Sequence, residues 1–254
     1  MQLVDSHAHI YLEEFKEDVA DVIARAQEAG VEKIYMPNID HTSIEDMLNL
    51  ADKYPDYCIP MMGLHPCSVQ KDFQKDLYEV EDYLSKGGFC AVGEMGTDLY
   101  WDKTFYEQQK EAFKIQCDMA LKHQLPIVIH CRESIDETIE LVKPFAERGL
   151  TGVFHCFTGS LEQANSIVNF GFKLGLGGVA TFKKGGLEPV IENIALEHIM
   201  LETDSPYLAP TPNRGKRNEP AYVELVAQKI ATVLGREVTE IGEITSSNSK
   251  TLFD

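Results

Sequence analysis

The chain has 254 residues, of which 44% are hydrophobic and 25% are charged, a composition typical of a soluble globular domain and unlike that of disordered or membrane chains. Its formal net charge of −18 excludes a broadly basic nucleic-acid-binding surface, so any nucleic acid would have to bind at a local site. Because no run is long and apolar enough for a transmembrane helix and no signal-peptide pattern opens the chain, we expect a cytoplasmic protein.

Short apolar runs alternate with amphipathic stretches along the whole chain. We predict strands near residues 3–8, 33–37, 58–63, 89–93, 126–130, 151–155, 172–176 and 198–202. Between them apolar residues recur at helical spacing, most clearly from Val223 to Leu234. This alternation predicts an α/β fold, a single-domain (β/α)8 TIM barrel that covers residues 1–254.

Two histidines lie at the end of the first predicted strand. His7 and His9 are separated by one residue, so on a strand both imidazoles project from the same face and suit capture of one metal ion. The carboxyl ends of the strands are also where a barrel enzyme forms its active site. Because a His-X-His pair is common by chance, the metal hypothesis depends on the residues at the other strand ends.

Four other strand ends carry a residue that binds metals well. They are Glu94 after the fourth strand, His130 after the fifth, His155 after the sixth and Asp204 after the eighth. One histidine after an apolar strand is usually structural, but this recurrence at five strand ends indicates a metal centre. Four imidazoles and two carboxylates suit Zn, Mn, Fe or Ni better than Ca and exceed one tetrahedral zinc, so we predict two divalent ions bridged by Glu94.

Six cysteines are scattered without a Cys-X-X-Cys pair, so neither a zinc knuckle nor a redox dithiol is indicated. Cys131 and Cys156 each follow a predicted ligand histidine. Neighbouring residues on a strand point to opposite faces, so we predict packing roles for both cysteines.

Six motifs are spread over nearly the whole sequence. They are Asp5–His9, Gly63–Pro66, Gly93–Gly96, His130–Arg132, His155–Ser160 and Glu202–Tyr207. Together they resemble the motifs of the TatD family of metal-dependent deoxyribonucleases, which belongs to the amidohydrolase-like superfamily of barrels. The sequence departs from the family at Gly96-Thr97-Asp98-Leu99-Tyr100, where a Leu usually follows the Gly and an aromatic residue follows the Asp. Since Asp98 matches, the departure concerns the shape of the substrate site near the fourth loop.

The resemblance implies how the predicted ligands are shared between two divalent ions, for which Mg, Mn, Zn, Ni and Fe are candidates. Family members of this kind hold one ion with two histidines and an aspartate, the other with two histidines, and bridge them with a glutamate. In this sequence those residues are His7, His9 and Asp204 for one ion, His130 and His155 for the other, and Glu94 as the bridge.

The resemblance also implies a catalytic activity, the hydrolysis of DNA phosphodiester bonds by an exonuclease that uses a metal-activated water. We expect Asp204, which would touch both metal and water, to accept the proton of that water, with Glu94 holding the ions. His65 is expected to orient the substrate phosphate or to donate a proton to the leaving oxygen. The alternative for His65 is a buried, hydrogen-bonded structural histidine.

Four residues are predicted to bind substrate. Arg132 follows His130 by two residues, so it shares that side of the strand if the strand continues, and its guanidinium fits a phosphate. Arg214 and Arg217, in the loop after the eighth strand, would form a local basic patch with lysines after the seventh. Ser205 would hold Asp204 or touch substrate. The alternative for the arginines is that they are solvated surface charges.

DNA is therefore the predicted substrate, with neither a membrane nor an obligate protein partner indicated. The second hypothesis is a metal-dependent ester hydrolase, such as the relatives of this family that deacylate D-aminoacyl-tRNA. The third is a non-catalytic barrel that keeps metals for stability. That hypothesis predicts a missing ligand, and none is missing here.

Overall fold

Parallel strands alternate with helices throughout the computed structural model, which describes residues 1–254. The eight strands are β1 (Leu3–Asp5), β2 (Val31–Pro37), β3 (Cys58–Met61), β4 (Val92–Asp98), β5 (Ile127–Arg132), β6 (Gly152–Phe154), β7 (Lys173–Leu176) and β8 (Ile199–Leu201). The nine α-helices are α1 (Val19–Glu28), α2 (Ile44–Lys53), α3 (Gln74–Lys86), α4 (Tyr106–His123), α5 (Ile135–Ala146), α6 (Leu161–Asn169), α7 (Glu188–Asn193), α8 (Val223–Leu234) and α9 (Val238–Phe253).

The strands close into a barrel through two seams. Strands β1 to β3 form one hydrogen-bonded group and β4 to β8 form another, and every pair within them is parallel. Bridges between Met62 and Val92 and between Ala8 and Ser205 join the two groups at both edges. The predicted fold class, an α/β barrel of eight strands, is confirmed.

Two of the differences between predicted and observed strand limits affect the positions of predicted metal ligands. Predicted strand 89–93 is in fact Val92–Asp98. The strand continues past Gly93 through several polar residues, all of which are buried. The first strand ends at Asp5 and not at residue 8, so His7 and His9 lie beyond β1, on either side of the isolated bridge at Ala8. Apolar runs therefore located the strands but did not mark where the buried backbone continues.

The barrel interior is filled at its amino-terminal end by one layer of apolar side chains from alternating strand positions. Its members are Val4, Tyr35, Met61, Ala91, Val128, Val153 and Met200, together with Phe253 of α9. The Phe253 ring lies 4.7 Å from that of Tyr35, measured between centroids. This layer closes one end of the barrel, so an internal site can open only at the carboxyl ends of the strands.

The helices cover the outside of the barrel with their apolar faces. In α8 the predicted stripe is buried at Val223, Val226, Ala227 and Ile230. None of the helices combines the length and the apolar composition that spanning a bilayer would require.

Gly96, in the middle of β4, has no room for a side chain. Its φ is +151°, and a Cβ would overlap the carbonyl oxygen of His130 on β5. We expect Gly96→Ala to lower the free energy of unfolding by about 1–3 kcal/mol more than Gly171→Ala does, since overpacking adds to backbone strain. Gly171 is the matched control because its φ is +90° with no atom near the added Cβ. Equal losses in urea unfolding would contradict this expectation.

Candidate metal centre

His7 and His9 are fixed by backbone hydrogen bonds to the segment that follows β8. The His9 N–H donates to the Ser205 carbonyl at 2.8 Å, and the Asp204 N–H donates to the His7 carbonyl at 2.9 Å. The His7 N–H also donates to Asp5 Oδ1 at 3.3 Å. Both rings are buried, and their Nε2 atoms lie 3.2 Å apart.

The carboxylate of Glu94 lies at the centre of the site. Its Oε2 is 3.1 Å from His7 Nε2 and 3.3 Å from His9 Nε2. Its Oε1 is 2.9 Å from His130 Nδ1 and 2.7 Å from His155 Nε2. Each oxygen therefore faces a different pair of histidines. Burial opposes ionisation, but the surrounding imidazoles outweigh it and hold the pKa of Glu94 well below its usual range.

Asp204 lies beside the first histidine pair, His7 and His9. Its Oδ1 lies 3.7 Å from the Nε2 atoms of both His7 and His9. Its side chain is 15% exposed, compared with 3% for Glu94, so it is the more accessible carboxylate of the centre. Burial raises the pKa of Asp204 to about 6.

His65, in the loop after β3, lies on the side of Glu94 that faces His130 and His155. Its Nε2 lies 3.3 Å from Glu94 Oε1, and its Nδ1 accepts a hydrogen bond from the Cys67 N–H at 3.0 Å. Because Nδ1 is an acceptor, a neutral His65 carries its proton on Nε2 and presents a donor to the site.

The donor set fits divalent cations. Three sets of ligand atoms lie within 4.8 Å of one another: His7, His9 and Glu94; His7, His155 and Asp204; and His65, Glu94 and His130. The His7 and His9 Nε2 atoms both face the same carboxylate oxygen, and two neutral imidazoles that converge in this way suit a cation between them. The sets divide the histidines differently from the predicted pairs, with His65 beside His130 and His155 stacked 3.8 Å from His7.

Two carboxylates outside the predicted ligand set lie beside histidines that belong to it. Glu202 Oε1 accepts from the Cys156 N–H and lies 3.5 Å from His155 Nδ1. Asp98 Oδ2 lies 2.9 Å from His130 Nε2. Burial opposes ionisation of Asp98, but its hydrogen bonds with His130 and nearby backbone N–H groups lower its pKa to about 2.

No role was predicted for Glu202 or Asp98, although both lie in quoted motifs or next to them. The available signal was their spacing from a ligand: Glu202 precedes Asp204 by two residues, and Asp98 follows Glu94 by four. Asp5, two residues before His7, links the end of β1 to the segment after the adjacent strand β8: its carboxylate accepts from the Thr203 N–H at 2.9 Å and from the Thr203 hydroxyl.

A cavity of about 910 Å³ opens above the metal centre. The predicted residues that line it are His9, His65, Glu94, His130, Arg132, His155 and Asp204. His7 lies behind them and is fully buried. Cys131 and Cys156 also border the cavity, Cys131 packs against the apolar core, and no cysteine belongs to a candidate metal set.

The four predicted substrate residues have different surroundings. Arg132, at the end of β5, is exposed in the cavity. Ser205 is fully buried and supports the His9 backbone. Arg217 is bound to Asp18 at 2.6 Å, and the Arg214 guanidinium lies 3.9 Å from the centroid of the Phe182 ring. Neither Arg214 nor Arg217 lines the cavity.

Over its whole length the chain is similar to known proteins of one family. The model of a family described as TatD-related DNase matches residues 4–254. The metal-dependent hydrolase YabD of Bacillus subtilis is 36% identical over 99% of this chain and 98% of its own. The 3'-5' ssDNA/RNA exonuclease TatD of Edwardsiella piscicida is 30% identical, with coverage of 94% and 95%. The crystal structure of YJJV, a TatD homologue from Escherichia coli, superimposes with a TM-score of 0.93 at 30% identity, covering 99% of this chain and 97% of that one.

Proposed function

This chain belongs to the family of TatD-related DNases, and from that premise we propose that it is a metal-dependent nuclease acting on the ends of single-stranded nucleic acid, DNA in particular. The observation that carries the proposal is the position of Glu94, with one carboxylate oxygen toward His7 and His9 and the other toward His130 and His155. This is the arrangement expected of a carboxylate that bridges two cations.

The proposed centre binds two divalent ions. One would be held by His7, His9 and Asp204, the other by His130 and His155, with Glu94 shared. We place His65 outside the ligand set because its Nδ1 is used by Cys67 and its Nε2 is a donor. Bound divalent cations would supply Lewis acidity, acidifying a water molecule and offsetting the charge of the phosphoryl oxygens.

Two residues of this chain would move protons. Asp204 is the accessible carboxylate at the cavity floor and would accept the proton of the attacking water. His65 presents its Nε2 proton to the same space, where it would hydrogen-bond a phosphate oxygen or protonate the leaving oxygen. Glu202 and Asp98 would orient His155 and His130 through the ring nitrogens that face away from Glu94.

Nucleic acid is the substrate class that the relatives favour. The Edwardsiella piscicida protein is named a 3'-5' ssDNA/RNA exonuclease, and the Bacillus subtilis protein a metal-dependent hydrolase. Neither name points to an aminoacyl ester, so the phosphodiesterase hypothesis is preferred to deacylation of D-aminoacyl-tRNA. Arg132, exposed in the cavity, supplies a local cation that an acidic protein otherwise lacks there.

The direct test measures nucleotide release from end-labelled single- and double-stranded DNA with Mg²⁺ or Mn²⁺, with and without chelator. We expect release only when metal is present, because bound cations would offset the phosphoryl charge. Release should be faster from single strands, since the Edwardsiella piscicida relative is named a single-strand exonuclease. A single-stranded RNA of the same sequence tests the preference for DNA. Protein that retains its metal yet releases nothing from DNA or RNA would contradict the proposal, and aminoacyl-tRNA esters would then be tested.

A further inference from the structure

Two neighbouring aromatic side chains stand exposed at the mouth of the cavity. Tyr100 is 46% exposed and Trp101 is 67% exposed, in the loop between β4 and α4. Trp101 lines the same cavity as the proposed metal ligands. Aromatic surface of this size is normally buried, so a pair of rings left in solvent beside a catalytic cavity indicates a contact surface.

Asp98 connects the aromatic pair to His130, a proposed metal ligand, by hydrogen bonds. Its Oδ1 accepts hydrogen bonds from the backbone N–H groups of Tyr100 at 2.8 Å and Trp101 at 2.9 Å. Its other oxygen lies 2.9 Å from His130 Nε2. One buried carboxylate therefore fixes the aromatic loop and a proposed ligand relative to each other.

Arg132 supplies a cation in contact with these rings. Its guanidinium carbon lies 3.7 Å from the Tyr100 centroid and 5.5 Å from that of Trp101. No carboxylate lies within ion-pairing distance of Arg132, whereas Arg25, Arg148, Arg217 and Arg236 each have such a partner. Arg132 is thus oriented by aromatic contact alone and its charge remains free for an anion.

We propose that Trp101, Tyr100 and Arg132 form a stacking subsite for the nucleobase next to the scissile phosphodiester, with Arg132 also contacting a phosphate of the same strand. The proposal rests on the nuclease function proposed above. Along a single strand, anionic phosphates alternate with flat π-faces, and this subsite places a cation beside aromatic faces in the same way. An acidic protein would repel the backbone elsewhere, so the base and this one cation hold the end of the strand.

Stacking on Trp101 requires a base that is not paired, which gives the subsite a function in substrate choice. Every base has a π-face, so the subsite would accept all four bases and reject an end whose bases are paired. An abasic nucleotide at that position would lose the contact while keeping its phosphates. This difference separates stacking from electrostatic attraction.

The experiment compares Trp101→Ala with wild type on a single-stranded oligonucleotide and on copies that carry an abasic nucleotide at the last or the penultimate position. For one of the two copies we expect the wild-type KM to be roughly tenfold above that for the intact strand, as loss of one stacked base implies. Trp101→Ala should raise the KM for the intact strand to that level, with kcat changed less than about twofold. Trp101→Phe should restore most of the difference.

Fluorescence provides a readout that does not depend on turnover. Trp101 is the only tryptophan of the chain, so its emission reports this subsite alone. We expect an intact oligonucleotide with hydrolysis-resistant phosphorothioate linkages to quench the emission of the metal-loaded protein, and the abasic copy to quench it less. Tyr78→Ala is the matched control, because Tyr78 is 76% exposed on α3 and lies outside the cavity.

Outcomes for the subsite and for the nuclease function are distinguishable. If wild type cleaves the oligonucleotide but Trp101→Ala has an unchanged KM and abasic strands bind equally well, the subsite is overturned and the nuclease function stands. If wild type cleaves no oligonucleotide, the nuclease function fails and the subsite fails with it. Quenching by an acidic peptide as strong as that by the oligonucleotide would also overturn the subsite, since it would show that recognition does not involve bases.

Discussion

Glu94→Gln is expected to reduce kcat/KM for a single-stranded oligonucleotide at least about 100-fold, which is the upper end of the loss seen when a mere outer partner of a metal ligand is removed. The amide keeps the size of the side chain but replaces one anionic oxygen with an NH₂ donor. Because each oxygen of Glu94 faces a different histidine pair, either orientation of the amide spoils one side. Bound metal per chain, measured after dialysis, should fall together with activity.

The matched control for this substitution is Glu81→Gln. Glu81 also contacts a histidine, His123, at 3.1 Å, but on the outer surface between α3 and α4. The control should retain both activity and metal. If Glu94→Gln kept the wild-type metal content and turnover, the shared carboxylate would not be the centre of the site.

The sequence was sufficient to predict the barrel and the positions where its strands open into the site. Apolar runs of strand length must be buried to be stable. Eight such strands with helices between them favour closure of the sheet into a barrel. The limits of β4 were missed because Gly93–Asp98 is buried by its polar contacts; for example, the Thr97 hydroxyl donates to Ser134 Oγ at 2.8 Å. A hydropathy pattern does not detect a buried strand whose polar side chains are hydrogen-bonded to neighbouring segments.

Long-range geometry limited the prediction of the site. Nothing in the sequence shows that Arg217 would meet Asp18, 199 residues away, or that Arg214 would lie over Phe182. Charge in a loop after β8 therefore predicted a phosphate patch, whereas the fold uses Arg217 to fasten that loop to the chain before α1. Arg132 differs because β5 continues to it, and no carboxylate neutralises its charge.

Thr97 and Leu99, the two residues that depart from the family pattern, lie on either side of Asp98. Asp98, the residue that matches, holds His130, while Tyr100 and Trp101 turn outward beyond it. A single carboxylate thus contacts both a proposed metal ligand and the exposed aromatic loop.

Asp204→Asn is expected to reduce kcat about 10²- to 10⁴-fold, the range attributed to a positioned proton acceptor, while the fold is retained. Asp204 has a φ of +58°, a conformation that asparagine tolerates well, so the substitution removes the basic oxygen without new backbone strain. Its backbone N–H keeps its bond to the His7 carbonyl. Circular dichroism and thermal unfolding should therefore resemble those of wild type.

Asp56→Asn provides the control for the backbone, because Asp56 has a φ of +62° and lies exposed outside the cavity. It should leave kcat and stability unchanged. Single-turnover kinetics at saturating metal separate the two roles assigned to Asp204. If added metal restores the rate of Asp204→Asn, the residue serves chiefly as a ligand; a rate that stays low with the centre fully loaded identifies it as the proton acceptor. Full activity without added metal would exclude both roles.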